Sequence, residues 1–199
     1  MLNYPLKKKN TTSNPKVNIS GKSTYANRGM TLEADLSNAN QYYLNNNKAV
    51  IHKKPTPIQV LHIKNLESGS TKIDDAYFLT PSTTDYNGIY RGKYIDFEAK
   101  ETKNTTRFPL ANIHEHQYIH LKNIVKHGGI GFFIISFTKL SEVYLVDASI
   151  VIDYFDKNES SIPYIDIKTK GHLIKYSYPI LVDYLKIVDQ VYFNEEINK

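Results

Sequence analysis

From Ser82 to Lys100 the chain reads Ser-Thr-Thr-Asp-Tyr-Asn-Gly-Ile-Tyr-Arg-Gly-Lys-Tyr-Ile-Asp-Phe-Glu-Ala-Lys. Two runs of strand-forming residues flank Arg91-Gly92, the pattern of a β-hairpin, and predict strands at Thr84–Tyr90 and Tyr94–Thr102. Side chains alternate along a strand, so Glu98 and Lys100 share one face while Ile95, Phe97 and Ala99 share the other. The turn folds the first strand back alongside the second. Asp85 then lies across from the Glu98–Lys100 end. Two carboxylates and an ammonium converge on one side of a sheet whose other side is apolar.

That convergence narrows the chemistry. Two close carboxylates repel unless a cation sits between them. Oxygen ligands with spare coordination positions suit Mg2+, which keeps several waters and binds phosphates. Such an ion polarises a phosphodiester and lowers the pKa of a bound water. Lys100 beside two carboxylates holds its proton, which favours electrostatic stabilisation of a pentacovalent phosphorus, with a general-base role second. A bare Glu-x-Lys on a strand is most often a solvated surface pair. The Asp upstream, separated by twelve residues that contain a hairpin turn, sets this one apart. Asp96 shares the Glu98 face and is expected to support the site rather than to ligate.

Around this hairpin the periodicities predict an α/β fold, with a mixed central sheet flanked by helices. Helices are expected at Met30–Leu44, Asn112–Lys126, Ser149–Phe155 and Leu181–Phe193, and strands at Ala49–His52, Ile130–Phe137 and Val143–Val146. Lys53–Thr80 is too long for a structureless loop. Its apolar runs Ile58–Ile63 and Ile73–Leu79, on either side of Ser68-Gly69-Ser70, predict a protruding β-hairpin stalk with Lys53 and Lys54 at its base.

Charge is distributed unevenly. Residues 1–30 hold six of the 25 basic residues and no acid precedes Glu33, which leaves 19 basic against 20 acidic in the remainder. Residues 1–26, rich in Asn, Ser, Thr, Lys and Pro, read as a disordered basic arm that meets a polyanion, followed by one domain over 27–199. A solubilising tail is the plainer reading of the arm. Cysteine is absent, which excludes disulfides, a thiol nucleophile and thiolate-held metals. Met1–Asn10 has no apolar signal-peptide core, and the uncharged run His127–Thr138 is too short to span a bilayer. A soluble, cytoplasmic protein with no membrane partner is expected.

Asp-x(12)-Glu-x-Lys resembles the PD-(D/E)xK nuclease core, and the surrounding residues resemble its RecU-type Holliday junction resolvase branch. The resemblance rests on Asn27–Glu33, Ala49–Pro57 and Ser82–Asn104, continues through Phe108–Leu110 and His114–Gln117, and echoes at Tyr178-Pro179 and Asp183-Tyr184. It covers about residues 25–193 with the motifs in order. It implies a restriction-endonuclease-like core and a homodimer that binds four-way junction DNA and nicks two opposing strands symmetrically. It also implies work in recombination, DNA repair and chromosome segregation, with modulation of the RecA recombinase. By position, Thr83, Asp85, Glu98 and Gln117 match the family's Mg2+ site, with Mn2+ a possible substitute, and Lys100 matches its transition-state stabiliser. Glu33 fits the first-helix acid that supports the site, and the stalk fits the junction-engaging protrusion. Arg28, Lys53 and Lys54 are expected on the DNA backbone.

The rival readings are weaker. Thr83 can serve simply as a strand residue, and Gln117 can hydrogen-bond to backbone. His114, His116 and His120 can approach a zinc geometry, yet His114-Glu115-His116 is not the metalloprotease motif, so solvent-facing or phosphate-contacting histidines are expected. A nuclease of the same core with different DNA specificity, and a non-catalytic junction-binding factor, are the functional alternatives.

Overall fold

Why the hairpin sits at the centre of the molecule follows from what comes after it. In the computed structural model, which describes residues 31–66, 69–79 and 81–193, strand β7 (Ile130–Phe137) is buried at every position. An unbroken apolar run is stable as a strand only when both sheet faces are covered. β7 pairs in parallel with β5 (Lys93–Thr102), and helix α2 (Glu115–Lys126) lies between them in sequence as the crossover. The remaining pairs are antiparallel: β1 (Val50–Lys53) with β4 (Tyr86–Tyr90), β4 with β5, β7 with β8 (Glu142–Asp147), and β8 with β10 (His172–Leu173). The six-stranded order is β1-β4-β5-β7-β8-β10. This is the mixed sheet flanked by helices that the periodicities predict.

Each face carries its own core. On one, Leu36, Ala39 and Tyr43 of α1 (Leu32–Asn45) and Leu185 and Val188 of α5 (Tyr184–Tyr192) pack over Ile95, Phe97, Phe132 and Ile134. On the other, Leu121 of α2, Val151 of α3 (Ala148–Asp156) and Ile167 of α4 (Tyr164–Lys170) cover Phe133, Ile135 and Val146. A ribbon of β6 (Arg107–Pro109) and β9 (Ser161–Pro163) closes this second core through Phe108 and Ile162. β5 supplies apolar side chains to the first face alone. Toward the second it turns Asp96 and Glu98, both fully buried.

Two glycines fix the hairpin's shape. Arg91 and Gly92 both have positive φ, 49° and 75°, as a two-residue hairpin turn requires. Gly88 has no room for a side chain, since a Cβ there would stand 2.0 Å from the Val50 carbonyl oxygen. That close approach holds β1 tightly against β4.

β2 (Ile58–Asn65) and β3 (Thr71–Phe78) form a separate two-stranded ribbon, exposed along almost all of its length, with register shifts on either side of His62. It is the expected stalk, although Lys53 at its base belongs to β1 of the main sheet.

The remaining boundaries shift for local reasons. α1 begins at Leu32 because Thr31 caps it, its side chain accepting from the Ala34 N–H. The helix expected from Asn112 starts only at Glu115. A 3-10 turn at Leu110–Asn112 precedes it and drops Leu110 and Ile113 into the second core. The last helix starts at Tyr184 rather than Leu181. The short β6, β9, β10 and α4 were not foreseen, being too brief to show a period. The expected arm and Arg28 lie outside the described residues. No helix among those described is long and apolar enough to cross a membrane.

Candidate active site

The hairpin brings Asp85, Glu98 and Lys100 together as strand parity requires. The Asp85 backbone N–H donates to Glu98 Oε2 at 3.0 Å, and Lys100 Nζ stands 3.0 Å from Glu98 Oε1. Burial pushes the Glu98 carboxyl up to about 7, and the Asp85 charge adds to this, while Lys100 and the Asp85 N–H pull the other way. Carboxylates so perturbed by burial and a neighbouring charge cluster at functional sites. Lys100 keeps limited contact with solvent, its side chain 18% exposed.

Beside this group lies a second acid with a different fate. Asp96 is buried with every oxygen engaged: Oδ1 accepts from the Thr84 hydroxyl, and Oδ2 accepts from Lys54 Nζ at 3.1 Å and Tyr94 OH at 2.9 Å. His120 Nε2 also faces Oδ2 at 3.0 Å. A carboxylate so enclosed has no free valence for a metal, and its place is to anchor α2 and the β1 end onto β5. Thr84 and His120 were missed as members of this network. The signal was present in part, since Asp96 shares the Glu98 face and His120 lies one turn beyond His116.

The other expected residues take their own places. Thr83 Oγ1 donates to the Thr84 carbonyl at 3.3 Å, and Gln117 Oε1 accepts from the His114 N–H at 3.0 Å, so both make backbone contacts. Lys53 Nζ pairs with Glu33 Oε1 at 2.5 Å. Lys54, expected on DNA, has its ammonium on Asp96 and Thr84 instead, because the buried Asp96 charge demands a counter-charge. The three histidines form no zinc site. His114 and His116 stack at 5.5 Å while His120 turns to Asp96, and among the described residues no three His, Cys, Asp or Glu side chains converge as a metal cluster.

Whether a divalent ion fits can be judged from the polar atoms left over. Among the described residues, Glu98 Oε1, Tyr86 OH and His116 Nε2 are buried without a hydrogen-bond partner, although Lys100 faces the first across an ion-pair distance. Tyr86 is within electrostatic reach of Glu33, Asp85 and Glu98, and His116 of Lys100 and Asp85. Buried polar groups are normally satisfied. Tyr86 OH and His116 Nε2, the two of these without any partner, beside the Asp85 and Glu98 carboxylates fit a hydrated, oxygen-preferring cation.

Comparison with known proteins gives this geometry its setting. Residues 27–190 match the family described as Recombination protein U. The chain is 50% identical over 196 residues to the Holliday junction resolvase RecU of Geobacillus kaustophilus, covering 96% of this chain and 98% of that one. It is 47% identical to the protein of the same name from Oceanobacillus iheyensis, across 96% of this chain and all of the other. The Bacillus pumilus protein of that name is 48% identical, with 98% of each chain covered. The chain belongs to the RecU family. The match to the RecU family reaches from Asn27 past the start of α5, so it takes in the sheet, the stalk and α2 together.

Proposed function

We propose that this chain is a metal-dependent endodeoxyribonuclease that resolves four-way DNA junctions by symmetric nicking. The observation that carries the reading is the pairing of a buried Glu98 with Lys100 and the Asp85 backbone on one face of β5, within a chain of the RecU family. Asp85 and Glu98 would hold Mg2+, with Thr83 and Gln117 joining by releasing their backbone contacts, and Mn2+ is the substitute to try. When bound, the ion supplies charge to the phosphodiester and acidity to a water.

The chain's own residues do the rest. Lys100 presents a protonated amine where negative charge grows on phosphorus, held in place by its ion pair with Glu98. The Asp85 N–H fixes the Glu98 carboxylate, so its second oxygen is aimed without rotamer search. Asp96, through Lys54 and His120, keeps β1 and α2 from drifting away from β5. On the DNA side, Arg28 and Lys53 are the proposed phosphate contacts, with Lys54 acting mainly through Asp96. The stalk, with Phe78 78% exposed, is the proposed junction-engaging element.

A four-way junction presents paired scissile strands, so a homodimer with an isologous interface would set two such sites on matching phosphates. The relatives' name makes the junction the first substrate to test, and the family resemblance extends the proposal to modulation of RecA. D85N and E98Q should each abolish cleavage of a synthetic junction while leaving its binding largely intact in a gel-shift assay. Equal loss of binding would make these carboxylates structural.

A further inference from the structure

The antiparallel pairing of β1 with β4 ends in register at Lys53 and Tyr86, yet one more rung is made beyond it. The Lys54 N–H donates to the Asp85 carbonyl oxygen at 2.6 Å. The Asp85 N–H is already on Glu98 Oε2, so both backbone polar groups of Asp85 are fixed, one by Glu98 of β5 and one by Lys54. Lys54 is itself pinned. Its Nζ stands 3.1 Å from Asp96 Oδ2 and 3.2 Å from the hydroxyl oxygen of Thr84, the residue just before Asp85. Asp96 is fully buried, and the Thr84 hydroxyl donates to it as well. The Lys54 ammonium cannot swing away without leaving a buried carboxylate short of a counter-charge. Lys54 thus grips Asp85 at its carbonyl and, through Thr84, from the preceding residue.

The same lysine opens the stalk. Lys54-Pro55-Thr56-Pro57 leads straight into β2 at Ile58. Proline fixes its own φ and holds the residue before it extended, so these four residues make a stiff strut rather than a slack linker. At the far end of the strut the Leu79 N–H donates to the Pro57 carbonyl at 3.0 Å, which ties the outgoing chain to the returning one. The returning chain then runs through Ser82-Thr83-Thr84 into Asp85. Pro55 and Thr56 are exposed, so burial does not hold the strut in place.

Resting on the junction and cation readings above, we infer that Lys54 is a positioning residue through which the stalk sets Asp85. Load on the stalk passes along the strut to Lys54, and from Lys54 to the carbonyl of the acid proposed to hold the cation. Lys54 touches neither DNA nor cation in this role. The displacement need only be small, since a misplacement of about 1 Å can slow a reaction by two orders of magnitude. Junction preference then lies in the cleavage step as well as in binding, because the shape that seats the stalk also seats the carboxylate.

The test is single-turnover cleavage of a synthetic four-way junction by the full-length chain in Mg2+, at protein concentrations that saturate the DNA. Gel-shift affinities in chelator and thermal melts accompany it. P55G/P57G loosens the strut without touching a buried group. Its junction affinity should stay close to that of the unaltered chain, and its melting temperature should fall only slightly, as expected of a freer unfolded chain. Its saturated rate should fall by about tenfold or more. K54M/D96N removes both charges of the grip together, so that no buried carboxylate is left unpaired, and should lose rate likewise. Combining all four substitutions should slow cleavage little beyond either pair alone, because strut and grip act in series. An unchanged saturated rate in P55G/P57G, losses that multiply, or weakened binding that accounts for the whole effect would overturn the inference. So would a drop in melting temperature like that of a core truncation. Failure of the unaltered chain to nick the junction in Mg2+ would instead overturn the functional reading, and this inference with it.

Discussion

At the scale of single residues, Glu98 couples the chemistry to stability. Its carboxyl sits at about 7 in the folded chain against an ordinary value of 4.5, so the folded state holds an extra proton between those two pH values. Raising pH through that window therefore withdraws stability, on the order of 3 kcal/mol when the group is fully charged. Without divalent cation, chemical denaturation should show stability falling from pH 5 to pH 7.5. E98Q should flatten the decline, and Mg2+ should oppose it in the unaltered chain by binding only the folded form. A decline that persists in E98Q would place its origin elsewhere. In the proposed mechanism the Lys100 amine serves the transition state. K100A should lower the single-turnover rate roughly a hundred- to a thousandfold with little change in Mn2+ affinity. Unchanged turnover would remove Lys100 from the mechanism. Asp85, Glu98 and Lys100 were legible in the sequence because strand parity and one hairpin turn fix their relation. The Asp96 partners were not, since Lys54 and His120 arrive from the segment just after β1 and from α2, whose packing no local pattern encodes.

At the scale of elements, the legible parts were those with a strong period. β7, the hairpin and the body of α1 stand where alternation and helical spacing put them, β7 with both ends as expected and the others with ends moved by at most two residues. Side chains that compete for the backbone decide such ends. Gln117 satisfies the His114 N–H, and this local bond helps start α2 there rather than at Asn112. The β6–β9 ribbon escaped notice because three-residue strands carry no periodic signal, yet it supplies Phe108 and Ile162 to the second core. The stalk behaves oppositely. Plainly legible, it supplies no residue to either core. Replacing 58–78 with a short Gly-rich turn should thus leave the thermal midpoint of the body almost unchanged while removing the preference for junctions over duplex. A fall in midpoint like that of a core truncation would mean that the ribbon holds the body together.

At the scale of the molecule, the sheet separates two tasks. One face is a continuous apolar core that holds β4 and β5 rigid, and the other is interrupted along β5 by Asp96, Glu98 and Lys100. Side chains so mounted need no large motion to assemble, which suits the proposed enzyme if its selectivity comes from the shape of its substrate. Selectivity is then proposed to arise from the stalk, with the basic charge of residues 1–30 as a source of attraction. With 19 basic and 20 acidic residues, the rest of the chain offers no net attraction to a polyanion. The most direct measurement is cleavage of a synthetic four-way junction and a sequence-matched linear duplex by the purified full-length chain, each with Mg2+ and with chelator. Paired, symmetric nicks in the junction alone, lost on chelation, are the predicted result. Equal cleavage of the duplex, or nicking that survives chelation, would contradict it.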